Sequence, residues 1–136
     1  MAGLFIDTDI VLDLLLERQP FYSYSARLFT LADKGVIKVS VSSLSFNNLD
    51  YMLSKQYGKA DSRKILGRFK LLVNVLAVDD KVISLALNSP FTDFEDAIQY
   101  YTAIQNKIPL LITRNLKDYK EAAIPVMTAE TYLKKE

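Results

Sequence analysis

Short apolar runs alternating with longer, helix-like segments constrain this chain more than any other feature. The runs are Leu4-Phe5-Ile6, Val36 to Val41, Val73 to Val78, Pro109 to Ile112 and a short fifth from Pro125 to Met127. Strands separated by helices require crossover connections. These are right-handed and produce a parallel sheet covered on both faces. The expected fold class is α/β, a three-layer α/β/α sandwich with a mostly parallel sheet of about five strands. One domain over residues 1–136 is expected, burying roughly two thirds of its unfolded surface.

Seven helices are expected. The first runs from Asp9 to Glu17, the second from Tyr24 to Lys34 with a stop at Gly35, and the third from a Ser42 or Ser43 cap to Tyr57. Gly58 interrupts, and a basic amphipathic helix follows from Lys59 to Leu72. Asp79 or Asp80 caps Lys81 to Asn88. Thr92 and Glu95 have the spacing of a capping box for a helix from Asp93 to Asn106, and Ala129 to Lys135 closes the chain.

The stretch LFIDTDIVLD, residues 4–13, sets Asp7, Asp9 and Asp13 among strand and helix residues that belong in an interior. A buried carboxylate must be paired, hydrogen-bonded, protonated or bound to a metal. In an open parallel sheet, ligands bind at the edge formed by the strands' carboxyl ends. Asp7 follows the first strand, Ser42 and Ser43 the second, and Asp79 and Asp80 the third. Thr113, Arg114, Asn115 and Asp118 follow the fourth, and Asp93 and Asp96 open the helix that leads into it. Two carboxylates about 4 Å apart repel by about 4 kcal/mol at an effective dielectric of 20, and a divalent cation reverses that sign. The pattern points to a metal site.

Plainer roles exist for some of these acids. Asp79 and Asp80 suit helix caps, and Asp93 and Glu95 suit a first turn, where the helix dipole favours them. Asp9, Asp13 and Glu17 recur every fourth position and could form one solvated stripe. Capping explains Asp7 less well, and Asp96, followed by Ala97 and Ile98, least of all.

Composition narrows the chemistry. The sequence contains no cysteine and no histidine, which excludes disulfides, zinc–thiolate sites, Ser-His-Asp and Cys-His systems and imidazole-bound metals. Hard oxygen ligands leave Mg2+ or Mn2+ as the expected cofactor. No apolar run is long enough to span a bilayer and no signal peptide is apparent, so no membrane association and a cytoplasmic location are expected. The net charge is only +1, but Lys55 to Lys70 holds six cations against one anion. That leaves the remainder at −4 and makes Arg63, Lys64 and Arg68 candidate RNA-binding residues.

The order of motifs resembles the PIN-domain family, metal-dependent ribonucleases that include the toxins of bacterial toxin–antitoxin pairs. Phe5-Ile6-Asp7-Thr8-Asp9-Ile10-Val11-Leu12 is similar to its opening strand, Asp-Thr-Asn and apolar helix. Ser42-Ser43-Leu44-Ser45-Phe46-Asn47-Asn48-Leu49, Asp93-Phe94-Glu95-Asp96-Ala97 and Thr113-Arg114-Asn115-Leu116-Lys117-Asp118-Tyr119 resemble the later motifs, in the family's order. The resemblance implies that Asp7, Asp96 and Asp118 are catalytic metal-binding acids, joined by Asn48 as a neutral ligand. Asp9, Asp93, Thr113 and Asn115 would support them. It also implies an RNA substrate cut as a single strand, an antitoxin protein as partner and a homodimer. Two departures stand out: Asp9 replaces the usual Asn, and Asn48 replaces an expected acid, usually Glu.

Two other expectations follow from the same residues. With Asn48 weakening the chemistry, the chain could be a PIN-like module that only binds RNA or protein. Asp7-Thr8-Asp9-Ile10-Val11 also resembles the opening of haloacid-dehalogenase-type phosphatases, with Asp7 as nucleophile and Asp9 as general acid/base. That assignment needs Asp79 and Asp80 as a late acidic pair and leaves Asp96 and Asp118 unused.

Overall fold

The computed structural model describes residues 2–135. Its elements are β1 (Ala2–Ile6), α1 (Thr8–Leu15), α2 (Tyr22–Asp33), β2 (Ile37–Ser42), α3 (Ser43–Tyr57), α4 (Lys59–Lys70), β3 (Asn74–Leu76), α5 (Asp80–Leu87), α6 (Phe94–Gln105), β4 (Leu111–Ile112), a 3-10 turn (Leu116–Tyr119), β5 (Val126–Met127) and α7 (Ala129–Lys135). The strands form one sheet in the order β3-β2-β1-β4-β5, with every pairing parallel. The expected sandwich and its five strands are therefore present.

The alternation of β1 builds the two faces, because successive strand side chains point to opposite sides. Leu4 and Ile6 join Ile10, Val11, Leu28, Val39, Leu49 and Phe69 in one core. Phe5 enters the other, with Leu111, Tyr100, Ala103 and Tyr119. Leu4, Phe5 and Ile6 are all fully buried. At about 25 cal/mol per Å² of apolar surface, each contributes roughly 1.5–3 kcal/mol.

Two strands are shorter than the sequence suggests. β3 keeps only Asn74–Leu76 of the expected Val73–Val78, and β4 only Leu111–Ile112. Pro109 lacks an N–H for a ladder, which limits β4. β3 lies at the sheet edge with Asn74 and Val75 exposed, so no burial draws the pairing outward. Between α3 and α4, Gly58 adopts φ +89°, a conformation glycine reaches without steric cost, and it separates the two helices.

The solvated stripe on α1 is a correction. Asp13 is fully buried, with Arg18 Nε 3.0 Å and Arg114 Nε 2.9 Å from its two oxygens. Burial still raises its pKa, despite both guanidiniums. Glu17 lies beyond the end of α1 at φ +52° and is exposed. The helix ends earlier than the fourfold spacing implies, and the spacing mixes an interior ion pair with a loop residue.

The strand order reverses about β1, with β2 on one side and β4 on the other. In such sheets the crevice beyond the carboxyl ends at the reversal is the ligand site. Asp7 ends β1 there, and its N–H donates to Ile112 O of β4 at 3.0 Å.

Candidate active site

Asp7 is both the N-cap of α1 and a buried carboxylate, 4 % exposed. Its Oδ1 accepts from the Thr8 N–H at 2.8 Å. Its Oδ2 accepts from Thr113 Oγ1 at 2.8 Å and from the Tyr119 hydroxyl at 3.2 Å. Thr113 follows β4, and Tyr119 ends the 3-10 turn that returns toward the sheet. Three donors would normally depress a carboxyl pKa. Burial outweighs them here, Asp9 adds repulsion, and the pKa of Asp7 stands at about 6.

Asp96 lies in the first turn of α6. The same Tyr119 hydroxyl contacts its Oδ1 at 3.3 Å. Burial first, then the charges of Asp7, Asp93 and Asp118, push its pKa up to about 7. A phenol hydroxyl carries one proton, so it can donate to only one of the two carboxylates at a time. The phenol keeps its own proton, and the arrangement suits one further proton shared between Asp7 and Asp96 near neutrality. The phenol itself is driven far above its ordinary pKa by burial and the two acids.

Asp9, Asp93, Glu95 and Asp118 line the same cavity of about 590 Å³ with Asp7 and Asp96. Asn47, Asn48 and Tyr51 of α3 and Asn115 complete that part of its wall. Asn115 Nδ2 donates to Asp9 Oδ2 at 2.7 Å, so the acid that departs from the resembled pattern has a fixed partner. Asp93 caps α6, accepting the Asp96 N–H at 2.9 Å.

That cap corrects the expected Thr92–Glu95 box. With the N-cap one residue later, Glu95 does not reach back to a cap, and its Oε1 accepts a hydrogen bond from Asn48 Nδ2 at 3.2 Å. Burial, Asp93 and Asp9 raise the Glu95 pKa, while Asn48 opposes the rise.

Sequence reasoning misses three residues. Glu95 is absorbed into a cap. Tyr119 closes the last motif but is given no role there. Gln99, fully buried, donates from Nε2 to Thr8 Oγ1 at 3.0 Å and Ser45 Oγ at 3.1 Å, tying together the three helices that carry the site. A polar residue on the buried face of α6, one turn after Glu95, is the sequence signal that could have found Gln99.

The basic candidates sit elsewhere. Arg63, Lys64 and Arg68 are exposed on α4 and none lines the acidic cavity; Arg68 borders a separate apolar depression with Leu14, Leu15 and Phe69.

Residues 3–117 match the PIN domain family. The chain belongs to that family. Over 136 residues this PIN domain is 27 % identical to "Ribonuclease VapC1" of Aquifex aeolicus (strain VF5), covering 94 % of this chain and 91 % of that protein. Among solved structures, a toxin–antitoxin complex from Klebsiella pneumoniae superposes with a TM-score of 0.69 at 23 % identity, covering 94 % of this chain and 98 % of that one. FitAcB from Neisseria gonorrhoeae gives 0.71 at 14 % identity, covering 93 % and 98 %. Both likenesses support the PIN fold.

The donor set of this PIN domain suits a hard divalent cation, since carboxylate and amide oxygens dominate the cavity wall and the Met52 thioether is its single softer group. Among the described residues, no three acidic side chains stand as a group that could hold an ion. Asp7 and Asp96 are instead tied to Tyr119, so a cation would have to draw them from that hydroxyl. Asp79 caps α5 through the Val82 N–H and accepts from Gln105. Neither Asp79 nor Asp80 lines the cavity with Asp7, which removes the late acidic pair a phosphatase needs. Among the described residues no helix is long and apolar enough to cross a membrane.

Proposed function

We propose that this PIN domain is a divalent-metal-dependent endoribonuclease that cuts single-stranded RNA, and that it is the toxin of a toxin–antitoxin pair. One observation carries the proposal: two carboxylates at the sheet's reversal point, Asp7 and Asp96, share one hydroxyl and hold pKa values near neutrality. A buried acid beside a half-buried one costs stability when both are charged, and a cation-dependent reaction gives that cost a purpose. The names of the Aquifex relative and of the Klebsiella complex support the ribonuclease and antitoxin assignments.

In this proposal Asp7, Asp96 and Asp118 hold Mg2+ or Mn2+, with Glu95 bringing a carboxylate to the wall where Asn48 offers only an amide. The cation would neutralise phosphate charge and lower the pKa of a bound water. Thr113, the Thr8 N–H and Tyr119 fix the Asp7 carboxylate, and Gln99 fixes the helices beneath it. Asn115 orients Asp9. With one neutral side chain in the set, manganese should bind better than magnesium, which gives up its water reluctantly.

The test is cleavage of a labelled single-stranded RNA with manganese present and after chelation. Metal-dependent cutting is the expected result. RNA binding with no cutting in any divalent metal would favour a binding module instead. The α4 cations enter as a second expectation. Replacing Arg63, Lys64 and Arg68 with Ala should weaken RNA binding and flatten its salt dependence, by up to about 0.7 in slope for each phosphate left unpaired. An unchanged slope would make α4 a solvated face only. The antitoxin and homodimer expectations are tested by co-purification with the neighbouring gene product and by sedimentation.

A further inference from the structure

The acidic cavity presents a problem for an RNA substrate. Carboxylates dominate its wall, and no Lys or Arg is among the residues lining it. A polyanion approaching this opening is repelled until a metal is bound, so attraction must come from the rim or from contacts that do not depend on charge.

Tyr51 offers such a contact. It lines the cavity from α3, yet 63 % of it is exposed, whereas Tyr100, Tyr119 and Tyr132 are buried. One turn further along α3, Lys55 places its ammonium over the Tyr51 ring, 5.0 Å from the centroid. Asn47, Tyr51 and Lys55 are spaced four residues apart, which aligns them along one helix face. That face runs from an amide at the acidic wall, through an aromatic ring, to a cation. An isolated exposed tyrosine is ordinary. This one stands at the mouth of the site with a cation over its ring.

Resting on the endoribonuclease reading, we propose that Tyr51 and Lys55 form the platform for the nucleotide flanking the cut. An unpaired base of single-stranded RNA stacks on the Tyr51 ring, and the adjoining phosphate pairs with the Lys55 ammonium. Stacking on an aromatic ring is indifferent to phosphate repulsion and tolerates any base. A duplex cannot present such a base, so the platform selects single strands.

The experiment measures anisotropy of a labelled single-stranded RNA with the Asp96→Asn protein, in which cutting is suppressed and wall repulsion reduced. Adding Tyr51→Ala should weaken binding roughly tenfold, Tyr51→Leu nearly as much, and Tyr51→Phe very little. Lys55→Ala should lower the salt slope by about 0.7. Because Tyr51 is exposed, melting temperatures should be unchanged, and manganese binding by otherwise wild-type Tyr51→Ala should be normal. If Tyr51→Ala binds as the parent does, or if Tyr51→Leu matches Tyr51→Phe, stacking is overturned while the nuclease proposal stands. If the Asp96→Asn parent binds no RNA, the substrate assignment fails and the platform fails with it.

Discussion

Replacing Asp7 by Asn is expected to stabilise the metal-free protein at pH 8 and to abolish its binding of manganese. The two effects share one cause. The Asp7 pKa is about 6 in the folded protein, against about 3.9 in an unfolded chain. The folded state therefore holds a proton more tightly than the unfolded state. Below about pH 4 both states are protonated and nothing is lost. As the pH rises toward 6 and beyond, the native state must carry a buried, repelled charge, and stability falls. The full shift corresponds to a few kcal/mol. Allowing for coupling to Asp96 and for an Asn amide that finds poorer partners, about 1–2 kcal/mol should be recovered.

That corresponds to a rise in Tm of roughly 3–6 °C at pH 8, vanishing near pH 4. Asp96 adds in the same direction, its pKa being about 7, but its exposure to solvent weakens the effect. Manganese binding by the wild type should correspondingly strengthen with pH through 6 to 7, since cation and proton compete for one pair of carboxylates. A variant that is less stable than wild type at pH 8, or that binds manganese with unchanged affinity, would sink this account of Asp7.

Much of this is legible in the sequence because it is local. The strand Leu4-Phe5-Ile6 followed at once by Asp7 places a carboxylate at a sheet edge without any knowledge of partners, and alternating elements imply the parallel sheet. Asp13 is misread because spacing reports a helix face and not what covers it. Its cover, Arg114, lies about a hundred residues away in sequence. Tyr119 is hidden for a similar reason. Only the fold brings its hydroxyl to both Asp7 and Asp96, and a tyrosine after a polar loop otherwise reads as packing. Glu95 is lost to a one-residue ambiguity. Thr92 and Asp93 are both good N-caps, and choosing between them decides whether Glu95 faces its own backbone or the cavity. Local energies separate those choices by only about 1 kcal/mol.

That ambiguity leads to the second large expected effect. The resemblance to the PIN family implies an acid at the position of Asn48, and an amide there would weaken the site. Yet the Asn48 amide donates to Glu95 Oε1 at 3.2 Å, so a carboxylate occupies the space opposite it. If this charge serves the site, it has moved from α3 to α6 and has not been lost. Glu95→Gln should then weaken manganese binding by about 10–100-fold, the scale of removing a group that supports a metal site. Asn48→Glu alone should tighten manganese binding. It should also destabilise the metal-free protein, because two carboxylates about 4 Å apart repel by about 4 kcal/mol before solvent screening reduces that figure. The double variant Asn48→Glu/Glu95→Gln returns the acid to α3 with an amide facing it. Its manganese affinity should recover to within a few-fold of wild type, and its metal-free stability should recover with it. Calorimetry on the four proteins closes the cycle without any RNA present. Should Glu95→Gln bind manganese as tightly as wild type, or should the double variant stay as weak as Glu95→Gln, the charge on α6 has no part in holding the metal. Asn48 would then mark a true loss of an acid from this PIN domain.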